Sequence, residues 1–262
     1  MTISAESIRT AAGILWQHFD RGGRIGQLPP GCRPADRADG YAIQAEVARL
    51  SGQPVAGWKI AATSRAGQQH IGVDGPLAGR LIAARLLSAG ATVPFEGNGM
   101  KVAEAEFAFR LGRSLPPRSG PYALAEVLDA VAALHLAIEI PDSRYEDFAR
   151  VGAPQLIADC ACACWLVVGP EVKAGWRARD LAAHGVRVRV NGAEVASGSG
   201  ANVLGDPRVA LAWIANELRV HADGLQAGQL VTTGTCVVPV SLAAGDRVEA
   251  DFGEFGTLQA RV

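Results

Sequence analysis

From Val55 to the C-terminus the chain is written mainly in short runs of strand character, at 55–62, 102–111, 133–140, 161–168, 186–190, 193–197, 230–233, 247–252 and 256–261. Strands that do not alternate regularly with helices argue against a doubly wound parallel sheet. They predict an α+β chain built on a mixed, rolled β-sandwich. Helical patterning is concentrated before Pro54. Ile8, Ala11, Ala12, Leu15, Trp16 and Phe19 form a stripe that stops at Gly22-Gly23, and a second helix is expected through AIQAEVARLSG. The Pro- and Gly-rich stretch between them reads as a loop. Residues 1–54 are therefore taken as a helical N-terminal segment and 55–262 as a strand-rich domain.

Two later helices are expected, through ALAEVLDAVAAL and after Asp206-Pro207, where proline suits a first helical turn. Asn191-Gly192, between VRVRV and AEVAS, is a two-residue hairpin signal. No internal repeat is present, and the glycines of SGSGANVLGDP lack the spacing of a nucleotide-binding loop.

Within the strand VAEAEFAFRL, side chains two apart share a face, so Glu104 and Glu106 point the same way while Ala103, Ala105, Phe107, Phe109 and Leu111 line the other. Two neighbouring carboxylates repel. A hard divalent cation, Mg²⁺ or Mn²⁺, relieves that repulsion by taking oxygen ligands. Glu139, in HLAIEIPDSR, is the candidate third ligand. The alternative is a solvated strand face made by Val102, Glu104, Glu106, Ala108 and Arg110.

The chain has 262 residues, about half of them hydrophobic, enough to bury a full core. Its formal net charge is −1, without basic runs, so no nucleic-acid track and no anionic membrane surface are suggested. The N-terminal stretch lacks the pattern of a secretory signal and no segment approaches a membrane span, so a cytoplasmic location is expected. Cys160, Cys162 and Cys164 alternate, which in a strand would put them on one face, but the spacing lacks the C-x-x-C knuckle of zinc sites. They are read as small core residues.

Lys59, between Trp58 and Ile60, is flanked by apolar residues; desolvation can lower its pKa toward neutrality and suit it to proton transfer, or its ammonium can equally snorkel to water. Asp74 precedes Gly75-Pro76 and reads as a turn residue. Among Asp142, Ser143 and Arg144 a structural Asp-Arg pair is expected, with Asp159 as support for the site. His135 shares a face with Glu139 but has no correctly spaced second histidine, so it is read as a hydrogen-bonded structural residue.

Taken in order, AGWKIAATS, IGVDGP, AEAEFAF, AIEIPDSR, LIADC, NG, GDP, LVTTGT and AAGDRVEADF resemble the 2-oxopent-4-enoate hydratase and 4-oxalocrotonate decarboxylase branch of the fumarylacetoacetate hydrolase superfamily, from about Val55 onward. The resemblance implies a fumarylacetoacetate hydrolase-like catalytic domain in which Glu104, Glu106 and Glu139 bind Mg²⁺ or Mn²⁺. It implies proton transfer by Lys59, an active-site carboxylate at Asp74 and a substrate contact at Thr235. Cys160 stands where the family often has Asn. The implied activity is metal-dependent hydration of a short 2-hydroxy-2,4-dienoate to a 4-hydroxy-2-oxo acid, by a homo-oligomer able to associate with its sister enzyme. Decarboxylation of a 4-oxalocrotonate-type acid on the same site is the nearest alternative. A C–C hydrolase ranks lower for want of a histidine–carboxylate pair, and a non-catalytic partner subunit conflicts with the joint presence of Lys59 and the three glutamates.

Overall fold

The computed structural model describes residues 3–262. In chain order its helices are α1 (Ala5–Arg21), α2 (Arg37–Leu50), α3 (Arg65–His70), α4 (Leu124–Asp129), α5 (Ala153–Ala158) and α6 (Pro207–His221). Its strands are β1 (Val55–Ala61), β2 (Leu77–Ile82), β3 (Leu86–Ser88), β4 (Val102–Leu111), β5 (Val131–Ile140), β6 (Trp165–Glu171), β7 (Gly185–Val190), β8 (Ala193–Ser199), β9 (Leu230–Thr235), β10 (Val240–Ser241), β11 (Arg247–Asp251) and β12 (Thr257–Arg261). Side-chain oxygens of Ser4, Asp36 and Asp206 accept first-turn amides of α1, α2 and α6, groups that have no partner within the helix.

The strands form two sheets. The larger runs β2-β1-β9-β4-β5-β6-β3, with β10 paired to β4; the smaller runs β12-β11-β7-β8. Pairing is mixed, since β1–β9 and β3–β6 are parallel and the other pairs antiparallel. Phe107, on the apolar face of β4, packs edge-on against Phe252 and Phe255 at the corner of β11 and β12 and so joins the two sheets. Burying such a ring contributes roughly 1.5–3 kcal/mol. Leu15 of α1 and Tyr41 and Ile43 of α2 enter the same continuous core as Phe107 and Phe109. The chain is thus a mixed helix-and-strand fold, as expected, and a rolled sandwich describes it only coarsely.

Two glycines set how closely its layers approach. A Cβ on Gly57 would lie 1.9 Å from the Leu230 carbonyl oxygen, and one on Gly79 would lie 1.8 Å from that of Cys160. The first permits β1 to pair with β9; the second lets the Cys160 turn sit on β2. The predicted hairpin at Asn191-Gly192 is present, with φ of 52° and 88°.

Two segments depart from expectation. The helix read through ALAEVLDAVAAL stops at Asp129, and Val131 already begins β5. An apolar run buried on both faces has no period that separates strand from helix. The alternating cysteines are not on a strand, because β6 starts only at Trp165. Cys160, Ala161 and Cys162 instead form a tight turn with φ of 51°, 48° and 64°, three successive non-glycine residues in the left-handed region. That conformation costs about 1–2 kcal/mol per residue and must be held by its surroundings. The short elements β2, β3, β10, α3 and α5 carried too little pattern to be anticipated.

Candidate metal centre

β4 lies inside the larger sheet between β5 and β9, and this order assembles the acids. Glu104 pairs directly with Glu139 across β4 and β5, while Glu106 faces Ala137 on one side and Thr235 on the other. One carboxylate oxygen from each of Glu104, Glu106 and Glu139 lies within 4.8 Å of the other two. Glu106 and Glu139 are 0 % exposed and Glu104 is half-buried, which rules out a solvated strand face.

Lys59, 3 % exposed, reaches the same cluster from β1. Its Nζ lies 3.2 Å from Glu139 Oε1 and donates a 3.1 Å hydrogen bond to the Ala161 carbonyl. The approach to Glu139 is an ion pair without hydrogen-bond alignment, for neither Glu139 oxygen has a hydrogen-bond partner. Glu106 Oε2 accepts the Gly234 amide at 2.9 Å, and Glu106 Oε1 has no partner. Fully ionised, three carboxylates against one ammonium would carry two negative charges in excess. Unpartnered, inward-facing oxygens with that excess are the donor set a hard dication takes, so these residues fit Mg²⁺ or Mn²⁺.

The same crowding shifts the protonation of every member. Burial pushes the carboxyls of Glu104, Glu106 and Glu139 up, Glu139 to about 7 despite the opposing charge of Lys59. For Glu106 the charges of Glu139 and Glu104 add to burial. Lys59 corrects an expectation. Burial does disfavour its charge, but Glu139, Glu104 and Glu106 together outweigh burial and raise its pKa. The apolar flanks Trp58 and Ile60 are visible in sequence; the three acids across the sheet are not.

The residues after Glu139 pair differently from the local reading. Asp142 binds Arg24 at 2.8 Å rather than Arg144. Arg144 binds the carboxylate and backbone carbonyl of Asp159, and also donates to the carbonyls of Asp142 (2.7 Å) and Ala163 (2.9 Å). Ser143 Oγ donates to Asp159 Oδ2 at 2.8 Å. This buried network clamps both ends of the left-handed turn and thereby holds the Ala161 carbonyl against Lys59. Sequence carries no signal for such a backbone contact.

Asp74 is exposed on the turn before β2 and makes no hydrogen bond or ion pair with Lys59 or the glutamates. That turn leads into Leu77, which pairs with Ala61 two residues beyond Lys59. Thr235 is half-buried and its hydroxyl donates to the Val237 carbonyl at 2.8 Å. His135 is buried, with Nδ1 2.9 Å from the Gly169 carbonyl and Arg110 Nε donating to Nε2 at 3.3 Å, in keeping with a structural role. Cys160 and Cys162 are buried, free thiols. A cavity of about 600 Å³ lined by Arg24, Glu96, Asn98, Lys101 and Leu242 includes none of the three glutamates. No helix among the described residues is long and apolar enough to cross a membrane.

Comparison with known proteins shows which family the chain belongs to. Residues 82–262 match the fumarylacetoacetate (FAA) hydrolase C-terminal family. The chain is 31% identical over 257 residues to a 2-keto-4-pentenoate hydratase from Burkholderia vietnamiensis, covering 97% of each. It is also 31% identical over 228 residues to a 4-oxalocrotonate decarboxylase from Pseudomonas putida, covering 86% of this chain and 84% of that one. A solved structure of 4-oxalocrotonate decarboxylase from Pseudomonas putida G7, complexed with magnesium and adipate, superposes with a TM-score of 0.89 at 28% identity, over 99% of this chain and 98% of the other.

Proposed function

The chain belongs to the fumarylacetoacetate hydrolase family, and from that premise we propose that it is a divalent-metal-dependent hydratase of a short 2-hydroxy-2,4-dienoate, yielding a 4-hydroxy-2-oxo acid. The observation that carries this reading is the buried triad Glu104, Glu106 and Glu139 beside Lys59, in a chain that matches a 2-keto-4-pentenoate hydratase from end to end. Glu104, Glu106 and Glu139 would hold Mg²⁺ or Mn²⁺, which would supply Lewis-acid polarisation of the substrate.

The protein's own groups move the protons. Lys59 is the proposed proton carrier: it delivers a proton to C5 and takes up the one the enol hydroxyl gives up, which leaves a C3–C4 double bond conjugated to the carbonyl. Water then adds hydroxyl at C4 and a proton at C3. Asp74 is the proposed base toward that water, and Thr235 the proposed neutral contact for the substrate carboxylate. Residues 1–54 form the helical segment of this scheme and 55–262 the catalytic domain. The enzyme is proposed to be cytoplasmic, homo-oligomeric and able to associate with its sister enzyme.

Decarboxylation of 4-oxalocrotonate is the second reading, favoured by the full-length structural match to that enzyme. A cation held by Glu104, Glu106 and Glu139 would supply the charge stabilisation that either outcome needs. The test is to offer the Mg²⁺-reconstituted protein both 2-hydroxypenta-2,4-dienoate and 4-oxalocrotonate and to identify the products. An unchanged carbon count with added water supports hydration; release of CO₂ supports decarboxylation; no turnover of either sinks both.

A further inference from the structure

The strand β9 contributes three threonines near the centre, and only one has an uncommitted hydroxyl. Thr233 Oγ1 donates to the Phe107 carbonyl at 3.0 Å and Thr235 Oγ1 to that of Val237. Thr232 is 0 % exposed, and its Oγ1 has no hydrogen-bond partner among the described residues.

Register fixes where Thr232 points. Trp58 pairs with Val231 in the parallel β1–β9 ladder, so the next residues, Lys59 and Thr232, project to the same face. On its other side Thr232 pairs with Ala108, which shares its face of β4 with Glu106 and Glu104. The spare hydroxyl therefore stands on the carboxylate face, in the strand between Lys59 and the two glutamates. Its neighbours on that face are Ala108 on β4, which has no polar side-chain atom, and Lys59 on β1, whose ammonium is engaged with Glu139 and the Ala161 carbonyl. A buried hydroxyl left without a partner destabilises the free protein, and valine would fill the same volume without that penalty. Threonine here points to a partner that arrives with the ligand.

We propose that Thr232 is a further substrate-contacting residue, whose hydroxyl donates a hydrogen bond to an oxygen of the 2-oxo acid bound at the centre. This rests on the functional reading above and names a residue beyond it. The test uses the full chain with Mg²⁺ and the unreactive saturated probe 2-oxopentanoate, comparing the parent with Thr232→Val and Thr232→Ser by calorimetric titration and thermal melting. Thr232→Val should melt at or above the parent temperature and bind Mg²⁺ as the parent does, yet bind 2-oxopentanoate about tenfold more weakly, the effect of one hydrogen bond. Thr232→Ser, which keeps the hydroxyl, should restore most of that affinity. Parental affinity for 2-oxopentanoate in Thr232→Val overturns the assignment alone, as does a matching loss of Mg²⁺ affinity. If the parent itself binds no 2-oxopentanoate in the presence of Mg²⁺, the functional reading falls, and the inference falls with it.

Discussion

Glu104 and Glu139 stand directly opposite one another on β4 and β5, two acids occupying one cross-strand pair. Like charges so placed destabilise a sheet. Glu106 adds a third acid on the same face, and among the described residues Lys59 is the cation paired with the cluster. The fold therefore retains an electrostatic defect at its centre, and several measurable properties follow from it.

Replacing Glu106 with Gln should weaken Mg²⁺ binding by more than the 10- to 100-fold typical of losing a residue that merely supports a ligand. Turnover should nearly vanish while the fold persists, because the Gln side chain keeps the size of Glu and can still accept the Gly234 amide. Calorimetric Mg²⁺ titration checks this, and unchanged affinity would remove Glu106 from the centre.

Metal-free protein should lose stability as pH rises from about 5 to about 8. Below the ordinary carboxylate value of 4.5, Glu139 is protonated in both folded and unfolded chains and contributes nothing; as pH passes 4.5 the unfolded chain releases its proton while the folded chain holds on until about 7. Above 7 the penalty is complete, on the order of 3 kcal/mol for such a shift. Lys59, whose pKa is also raised, is charged in both folded and unfolded chains throughout this window and adds no slope. Melting curves in EDTA at several pH values should show the decline, and saturating Mg²⁺ should reverse it. A flat or rising profile in EDTA contradicts the elevated Glu139 pKa.

Lys59→Met should leave Mg²⁺ binding in place and lower the catalytic rate by roughly 10²-fold or more, the scale for losing a positioned acid or base. Deuterium incorporation into substrate from heavy water reports the step directly. Parental exchange and turnover in the variant would assign the proton transfer to another group.

The left-handed turn predicts a ranking at Cys160, where φ is 51°. Cys160→Asn should match or exceed the parent in stability, since Asn tolerates this region, whereas β-branched Cys160→Val should cost about 1–2 kcal/mol. Denaturant unfolding gives the order. Equal stabilities would mean that the turn is not under strain, and zinc found by elemental analysis of the parent would reassign the cysteines as ligands.

Alternation alone made the carboxylate strand legible, because β4 keeps a strict two-residue period from Val102 to Leu111 and so aligns Glu104 with Glu106. Glu139 was named through its place in the family motif, while its pairing opposite Glu104 is a long-range register that no local pattern contains. The charge state of Lys59 was misread for the same reason, since its neighbours in sequence are apolar and its neighbours in space are acids. At Cys160–Cys162 the two-residue period was real but accidental, and Arg144, tied to Asp159, holds there a turn that propensity opposes. The family resemblance placed the substrate contact on Thr235, and sequence cannot show which threonine hydroxyls of β9 are already bonded within the fold.

The complete burial of Glu106 and Glu139 also has a kinetic face. An ion cannot diffuse straight onto oxygens that solvent does not touch, so entry and exit must wait for the half-buried Glu104 side of the cluster to open. Metal exchange should then be slow and steeply temperature-dependent, keeping time with the protein's own fluctuations rather than with the concentration of ions outside. Stopped-flow mixing with excess Mn²⁺ would show this as a rate that levels off, and a rate that climbs in proportion to Mn²⁺ would place the centre in open contact with solvent.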